Sequence, residues 1–103
     1  MFSFFSKVPT ISTQEFATKL TTTGEVLDVR TPAEYRAGHI RQAKNVPLQQ
    51  IAQYQPKAQP IYVICQSGMR SKQAAKQLQK KGYNVINVRG GMNQWTGKRV
   101  GGK

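Results

Sequence analysis

Two apolar runs, "PIYVIC" (60–65) and "YNVINV" (83–88), constrain the fold more than any other feature of the chain. Both read as short strands buried on both faces. Between them lies "SKQAAKQLQKKG" (71–82), which has helical spacing. Ala74, Ala75 and Leu78 share one face of that helix, Lys72, Lys76 and Lys80 lie on the other, and Gly82 supplies the stop. A strand, a helix and a second strand in that order imply parallel pairing and an α/β layer fold.

The rest of the chain repeats the alternation. "PTIS" (9–12) reads as a strand. Ser12 and Glu15 form a capping box that opens a helix to about Leu20. "EVLDV" (25–29) is strand-like. In "TPAEYRAG" Thr31 is the N-cap, Pro32 takes the first helical position, Glu34 closes a second box and Gly38 ends the turn. "KNVPL" (44–48) is a strand stopped by Pro47, "LQQIAQY" (48–54) a short helix, and "MNQW" (92–95) another after Gly90 and Gly91. The expectation is one α/β domain over residues 1–97, with a flexible basic tail at 98–103. In open sheets of this kind ligands bind beyond the carboxyl ends of the strands.

Cys65 ends a strand and precedes a helix, in "ICQSGMRS" (64–71). A strand-to-helix loop points unpaired first-turn amides at one spot, and the helix dipole favours an anion there. Gly68 permits a tight or left-handed backbone, and Arg70 adds a fixed positive charge. Such surroundings lower a thiol pKa, and the thiolate is the nucleophile. A lone cysteine after an apolar run is also read as a small buried residue. The glycine, the arginine and the immediate helix start favour chemistry. His39, in "RAGHI", reads as a structural histidine bonded to backbone rather than a base.

Composition narrows the classes. Cys65 is the only cysteine, so no internal disulfide forms, and with His39 the only histidine no zinc cluster is expected. No metal or cofactor is expected. A solvent-facing free thiol suits a reducing compartment, and the expected location is cytoplasmic. "MFSFFSKVPTIS" has no basic residue ahead of its phenylalanines and no long apolar stretch, so neither a signal peptide nor a membrane span is read. All four acids, Glu15, Glu25, Asp28 and Glu34, precede Tyr35, while thirteen of the sixteen Lys and Arg residues follow Glu34. That field attracts a small anionic substrate, an acidic partner or a nucleic-acid backbone. Tyr35, Tyr54 and Trp95 are scattered, which does not favour nucleic acid.

Three blocks, "LDVRTPAEYRAGHI", "IYVICQSGMRSKQAAKQL" and "GYNVINVRGGMNQW", resemble the signature blocks of a single-domain rhodanese, in order and at matching spacing. The resemblance implies a rhodanese-like fold, a central parallel sheet with helices on both faces. It implies a thiosulfate sulfurtransferase that moves a sulfane sulfur from a small anionic donor onto Cys65 as a persulfide, and on to cyanide, a thiol or a protein acceptor. Gln66, Ser67, Gly68, Met69 and Arg70 match the substrate-binding loop. Asp28 and Arg30 match a supporting pair, with Ser71 beside the loop. Gly90, Gly91 and Trp95 match the last block. The chain departs from the family at "GHIRQAKNVP", where Arg41 and Gln42 replace a Pro-Gly turn.

Other readings remain open. One is a persulfide-carrying sulfur relay or redox adaptor acting on a protein partner. More distant is a cysteine-type phosphatase or arsenate reductase. Cysteine phosphatases place five residues between Cys and Arg, whereas four separate Cys65 from Arg70, and no acidic residue stands out as a general acid.

Overall fold

The computed structural model describes residues 7–20 and 24–103. The opening residues 1–6, read above as lacking a signal segment, lie outside the described residues. The elements run β1 (Thr10–Ile11), α1 (Thr13–Ala17), β2 (Glu25–Asp28), α2 (Pro32–Ala37), β3 (Ala43–Asn45), a 3₁₀ helix (Leu48–Gln53), β4 (Ile61–Ile64), α3 (Met69–Lys80), β5 (Val85–Val88) and α4 (Gly91–Gln94).

The helix ends follow from named bonds. The Thr31–Glu34 box forms in both directions: Glu34 N–H donates to Thr31 Oγ1, and Thr31 N–H donates to Glu34 Oε1. Of the Ser12–Glu15 box the serine half forms, with Ser12 Oγ accepting Glu15 N–H. α1 stops at Ala17, short of Leu20, because Thr18 donates both its amide (3.0 Å) and its hydroxyl (2.6 Å) to the Glu15 carbonyl. That tight closure competes with a further α turn. The segment after Pro47 is 3₁₀ rather than α, closed by Gln50 N–H to Pro47 O and Tyr54 N–H to Ile51 O. α3 begins at Met69, two residues earlier than the spacing predicts. It ends in a pair of bonds, Gly82 N–H to Gln79 O and Tyr83 N–H to Leu78 O, made possible by Gly82 at φ +99°.

All strands are parallel, in the order β1-β5-β4-β2-β3. Alternate residues of β4 feed opposite faces. Ile61, Val63 and Cys65 join Leu27, Val29 and Val85 under α3 (Ala74, Ala75, Leu78) and Ile51 of the 3₁₀ helix. Tyr62 and Ile64 join Val88 under Phe16, Tyr35, Met92 and Trp95 of α1, α2 and the α4 end. A strand covered on both faces must be apolar throughout, which explains "IYVI". The expected α/β architecture, a parallel sheet with helices on both faces, is the observed one.

The segment expected as a tail runs back over this second face. Trp95 Nε1 donates to Lys98 O, Arg99 Nη2 donates to the carbonyls of Met92 and Trp95, His39 and Val100 exchange backbone bonds, and Gly102 N–H donates to Arg36 O.

Leu78 has no exposed surface and fills the layer between α3 and the sheet. Leu78→Ala is expected to destabilise the domain by about 2–5 kcal/mol in urea unfolding. A loss within error of zero would show that α3 is not packed through this residue.

Candidate functional site

The topology creates the site before any side chain is considered. From β2 the chain crosses through α2 to β3 on one side, and from β4 it crosses through α3 to β5 on the other. β2 and β4 are neighbours, with Asp28 opposite Ile64. The loops leaving their carboxyl ends therefore diverge and open a crevice between them. Asp28 and Arg30 flank one side of that crevice, and Cys65 to Ser71 flank the other.

Cys65 continues the β4 alternation toward the α3 face, so its side chain lies beneath the first turn of that helix. Gly68, at φ +105° and ψ −9°, caps the helix and folds the loop back, and its N–H donates to Cys65 Sγ at 3.0 Å. The thiol donates to Ser71 Oγ at 3.4 Å, and the Ser71 hydroxyl donates to Gly68 O at 3.1 Å. Cys65 and Ser71 have no exposed surface. This corrects the expectation of a solvent-facing thiol: the loop that supplies the amides also closes over the sulfur. Burial pushes the thiol pKa up. The Ser71 hydroxyl and the amides of Ser71, Gly68 and Ser67 pull it down, and the net shift is below the ordinary thiol value. On ionisation the Ser71 hydroxyl can rotate to donate to sulfur.

The loop is held from outside by backbone. Met92 N–H donates to Cys65 O at 2.8 Å and Asn93 N–H to Gln66 O at 2.9 Å. These donors come from the first turn of α4, brought close by the Gly90–Gly91 turn. A Cβ on Gly91, at φ +57°, would stand 2.2 Å from Cys65 O, so only glycine allows this approach.

A buried charge network supports the other wall. The Arg30 guanidinium donates to both Asp28 carboxylate oxygens at 2.8–3.1 Å, to Gly38 O at 2.8 Å, and through Nη1 to Gln66 Oε1 at 3.0 Å. Gln66 Nε2 in turn donates to Asn93 Oδ1 at 2.6 Å. The Asp28–Arg30 pair thus grips the residue that follows the cysteine. A buried pair of this kind is costly to break from one side.

Ser67 and Met69 are exposed at the rim, Met69 by 73%. Both Arg70 terminal nitrogens donate to Glu34, at 2.8 and 3.0 Å. The Arg70 guanidinium holds the Glu34 carboxyl at about 2, well below its ordinary 4.5. The sequence assigns Glu34 to the helix cap alone, but one carboxylate caps α2 and binds the loop arginine together. Asn93 and the Gly38 carbonyl also carry no signal in the sequence, because their roles arise from tertiary contact. Beside Gln66 lies an open cleft of about 360 Å³, lined by Arg30, Glu34, Gly38, Arg99 and Val100 among others. His39 lies apart from this network, stacked on Tyr35 at 3.6 Å with Nδ1 bonded to the Tyr35 carbonyl. Among the described residues no group of three or more His, Cys, Asp or Glu could hold a metal ion, and no helix is long and apolar enough to cross a membrane.

Comparison with known proteins gives a consistent likeness. The family model described as "Rhodanese-like domain" matches residues 12–98. A sulfurtransferase of Allochromatium vinosum is 37% identical over 82% of this chain and 85% of its own length. YrkF of Bacillus subtilis, named as a candidate sulfur carrier protein, is 39% identical over 90% of this chain, which spans only 54% of YrkF. The crystal structure of a rhodanese-like domain protein from Staphylococcus aureus superposes with a TM-score of 0.80 at 30% identity, covering 93% of this chain and all of that one.

The amide and hydroxyl bonds to Cys65 Sγ generate one prediction. Titration of the thiolate by its ultraviolet absorbance is expected to give a midpoint below that of an ordinary cysteine. Ser71→Ala is expected to move the midpoint up, because the variant loses a donor to the charged form. A midpoint at or above the ordinary value, or one that Ser71→Ala leaves in place, would contradict the assigned bonds.

Proposed function

This chain belongs to the rhodanese-like domain family, and on that premise we propose that it is a sulfurtransferase carrying a sulfane sulfur on Cys65. The observation that carries the reading is the Gly68 N–H aimed at Cys65 Sγ, 3.0 Å away in a loop closed by the helix start. The Cys65 thiolate attacks the outer sulfur of a donor such as thiosulfate. A new S–S bond forms, the donor S–S bond breaks, and sulfite leaves with the electron pair. An acceptor such as cyanide or a thiolate then attacks the outer sulfur of the Cys65 persulfide, and Cys65 leaves as thiolate. No outside oxidant or reductant is needed.

Negative charge passes through Cys65 Sγ at both steps, so preorganised donors around it act where charge builds. Gln66, Ser67, Gly68, Met69 and Arg70 form the loop that receives the donor. Arg70 contributes its charge from a position fixed by Glu34. Asp28, Arg30 and Ser71 hold the loop in shape. Acid-free sequence after Glu34 draws in an anionic donor. Because Cys65 has no exposed surface, donor entry requires the Ser67–Met69 segment to part, and Gly68 supplies the backbone freedom. A single reactive thiolate with no second cysteine to pair with suits the reducing cytoplasm.

The enclosure of Cys65 also favours a second reading, in which the persulfide is shielded from water and handed to a protein thiol. The phosphatase reading has no such support, since the loop holds four residues between Cys65 and Arg70.

Purified protein is expected to form thiocyanate from thiosulfate and cyanide, and Cys65→Ser to form none. Arg70→Ala is expected to lower kcat/KM for thiosulfate by roughly 10–100-fold, the range for a lost hydrogen bond to a charged group. Its melting temperature should change little, since the Glu34 pair is partly exposed. Hydrolysis of a phosphate ester without sulfur transfer, or parallel loss of stability and rate in Arg70→Ala, would overturn these assignments.

A further inference from the structure

The rim of the Cys65 loop continues into an unpartnered face of α3. Met69, Lys72, Lys76 and Lys80 fall at i, i+3, i+7 and i+11, and all four are exposed. They form one strip roughly 17 Å long, at 1.5 Å per helical residue. Its head is Met69, the only exposed large hydrophobic residue among those described, one position after the glycine that bonds Cys65 Sγ. Its body is three ammonium groups with no carboxylate to meet them. Among the described residues, Asp28 and Glu34 are taken by Arg30 and Arg70, and Glu25 by Tyr54 and the amides of Lys57 and Ala58. Glu15 lies on α1, across the sheet from α3. A merely solvated helix face gains from alternating charge at i and i+4, and this one repeats a single sign.

We propose that this strip is the docking surface for an acidic protein that accepts sulfur from Cys65, an inference resting on the sulfurtransferase reading above. Carboxylates of the partner meet Lys72, Lys76 and Lys80. An apolar seat takes Met69, whose unbranched side chain adapts to a partner surface. Docked this way, the partner's thiolate stands over the Cys65 loop. It attacks the outer persulfide sulfur, the Cys65 S–S bond breaks, and Cys65 leaves as thiolate while the partner carries the persulfide. A protein fits this face better than single-stranded nucleic acid does. Stacking needs exposed rings, whereas among the described residues Phe16, Tyr35, Tyr62 and Trp95 are buried and Tyr54 and Tyr83 are half-buried.

The test uses two synthetic peptides with one cysteine and one leucine each, flanked by four glutamates in one and four glutamines in the other. The full chain is loaded with thiosulfate, and sulfur uptake by each peptide is timed by mass spectrometry. The Lys72→Gln, Lys76→Gln, Lys80→Gln triple variant is compared with the parent. The glutamate peptide is expected to react roughly tenfold faster at low salt, as three exposed ion pairs allow. The advantage should vanish in high salt. In the triple variant it should shrink to about twofold or less, with cyanide turnover at saturating thiosulfate unchanged. Intact cyanide turnover with equal rates for both peptides, or a preference surviving in the triple variant, would overturn the docking surface alone. So would tight, salt-sensitive binding of single-stranded RNA to the parent without a peptide preference. Absence of cyanide turnover in the parent would sink the sulfurtransferase reading itself, and the docking surface with it.

Discussion

The carbonyl groups of Cys65 and Gln66 set the shape of everything around them. They emerge from the end of a buried strand, where an unpaired carbonyl is expensive. The first turn of α4 supplies their partners, through the Met92 and Asn93 amides. With its carbonyls satisfied from that side, the loop is free to turn its own amides inward, and Gly68 N–H reaches the sulfur. Gly91 makes the arrangement possible, because any side chain there would strike the Cys65 carbonyl. The cradle is thus made by two separate pieces of chain, one presenting donors to sulfur and the other fixing the presenter.

Charge is handled in the same divided way. Asp28 and Arg30 neutralise each other in the interior, and the arginine spends its remaining donors on Gly38 and Gln66. Glu34 pairs with Arg70 at the rim and fixes its position. Two acids and two arginines are therefore consumed in building the crevice. The excess positive charge is left on the surface, along α3 and the later segments, where it acts on whatever approaches.

How much of this the sequence exposed depended on the range of the interaction. "PIYVIC" and the Ala74–Ala75–Leu78 face revealed strand and helix because burial on two faces, or on one, leaves a period in the residues themselves. Thr31, Pro32 and Glu34 revealed a helix start because capping is local. The loop from Cys65 to Arg70 was legible as a dipole trap for the same reason. Less legible were features decided by competition or by distant chain. Thr18 shortened α1 through a hydroxyl bond that helical spacing does not encode. The enclosure of Cys65, against the expected solvent-facing thiol, depends on how far the loop folds over. The Glu34–Arg70 pair spans 36 residues, and Glu34 already had a sufficient local explanation. Residues 98–103 read as a flexible basic tail because a short run of glycine and basic residues carries no period, yet Lys98 O accepts the Trp95 indole N–H, Arg99 reaches the Met92 and Trp95 carbonyls, and Val100 and Gly102 bond the backbone of His39 and Arg36.

On the sulfurtransferase reading proposed above, these converging donors make Cys65 Sγ the carrier of a transferable sulfur. Intact mass of the chain after brief exposure to thiosulfate tests it most directly, with the Cys65→Ser variant as control. The parent is expected to gain one sulfur atom, removed by cyanide, and the variant to gain none. An unchanged parent mass, or an equal gain on Cys65→Ser, would contradict that reading.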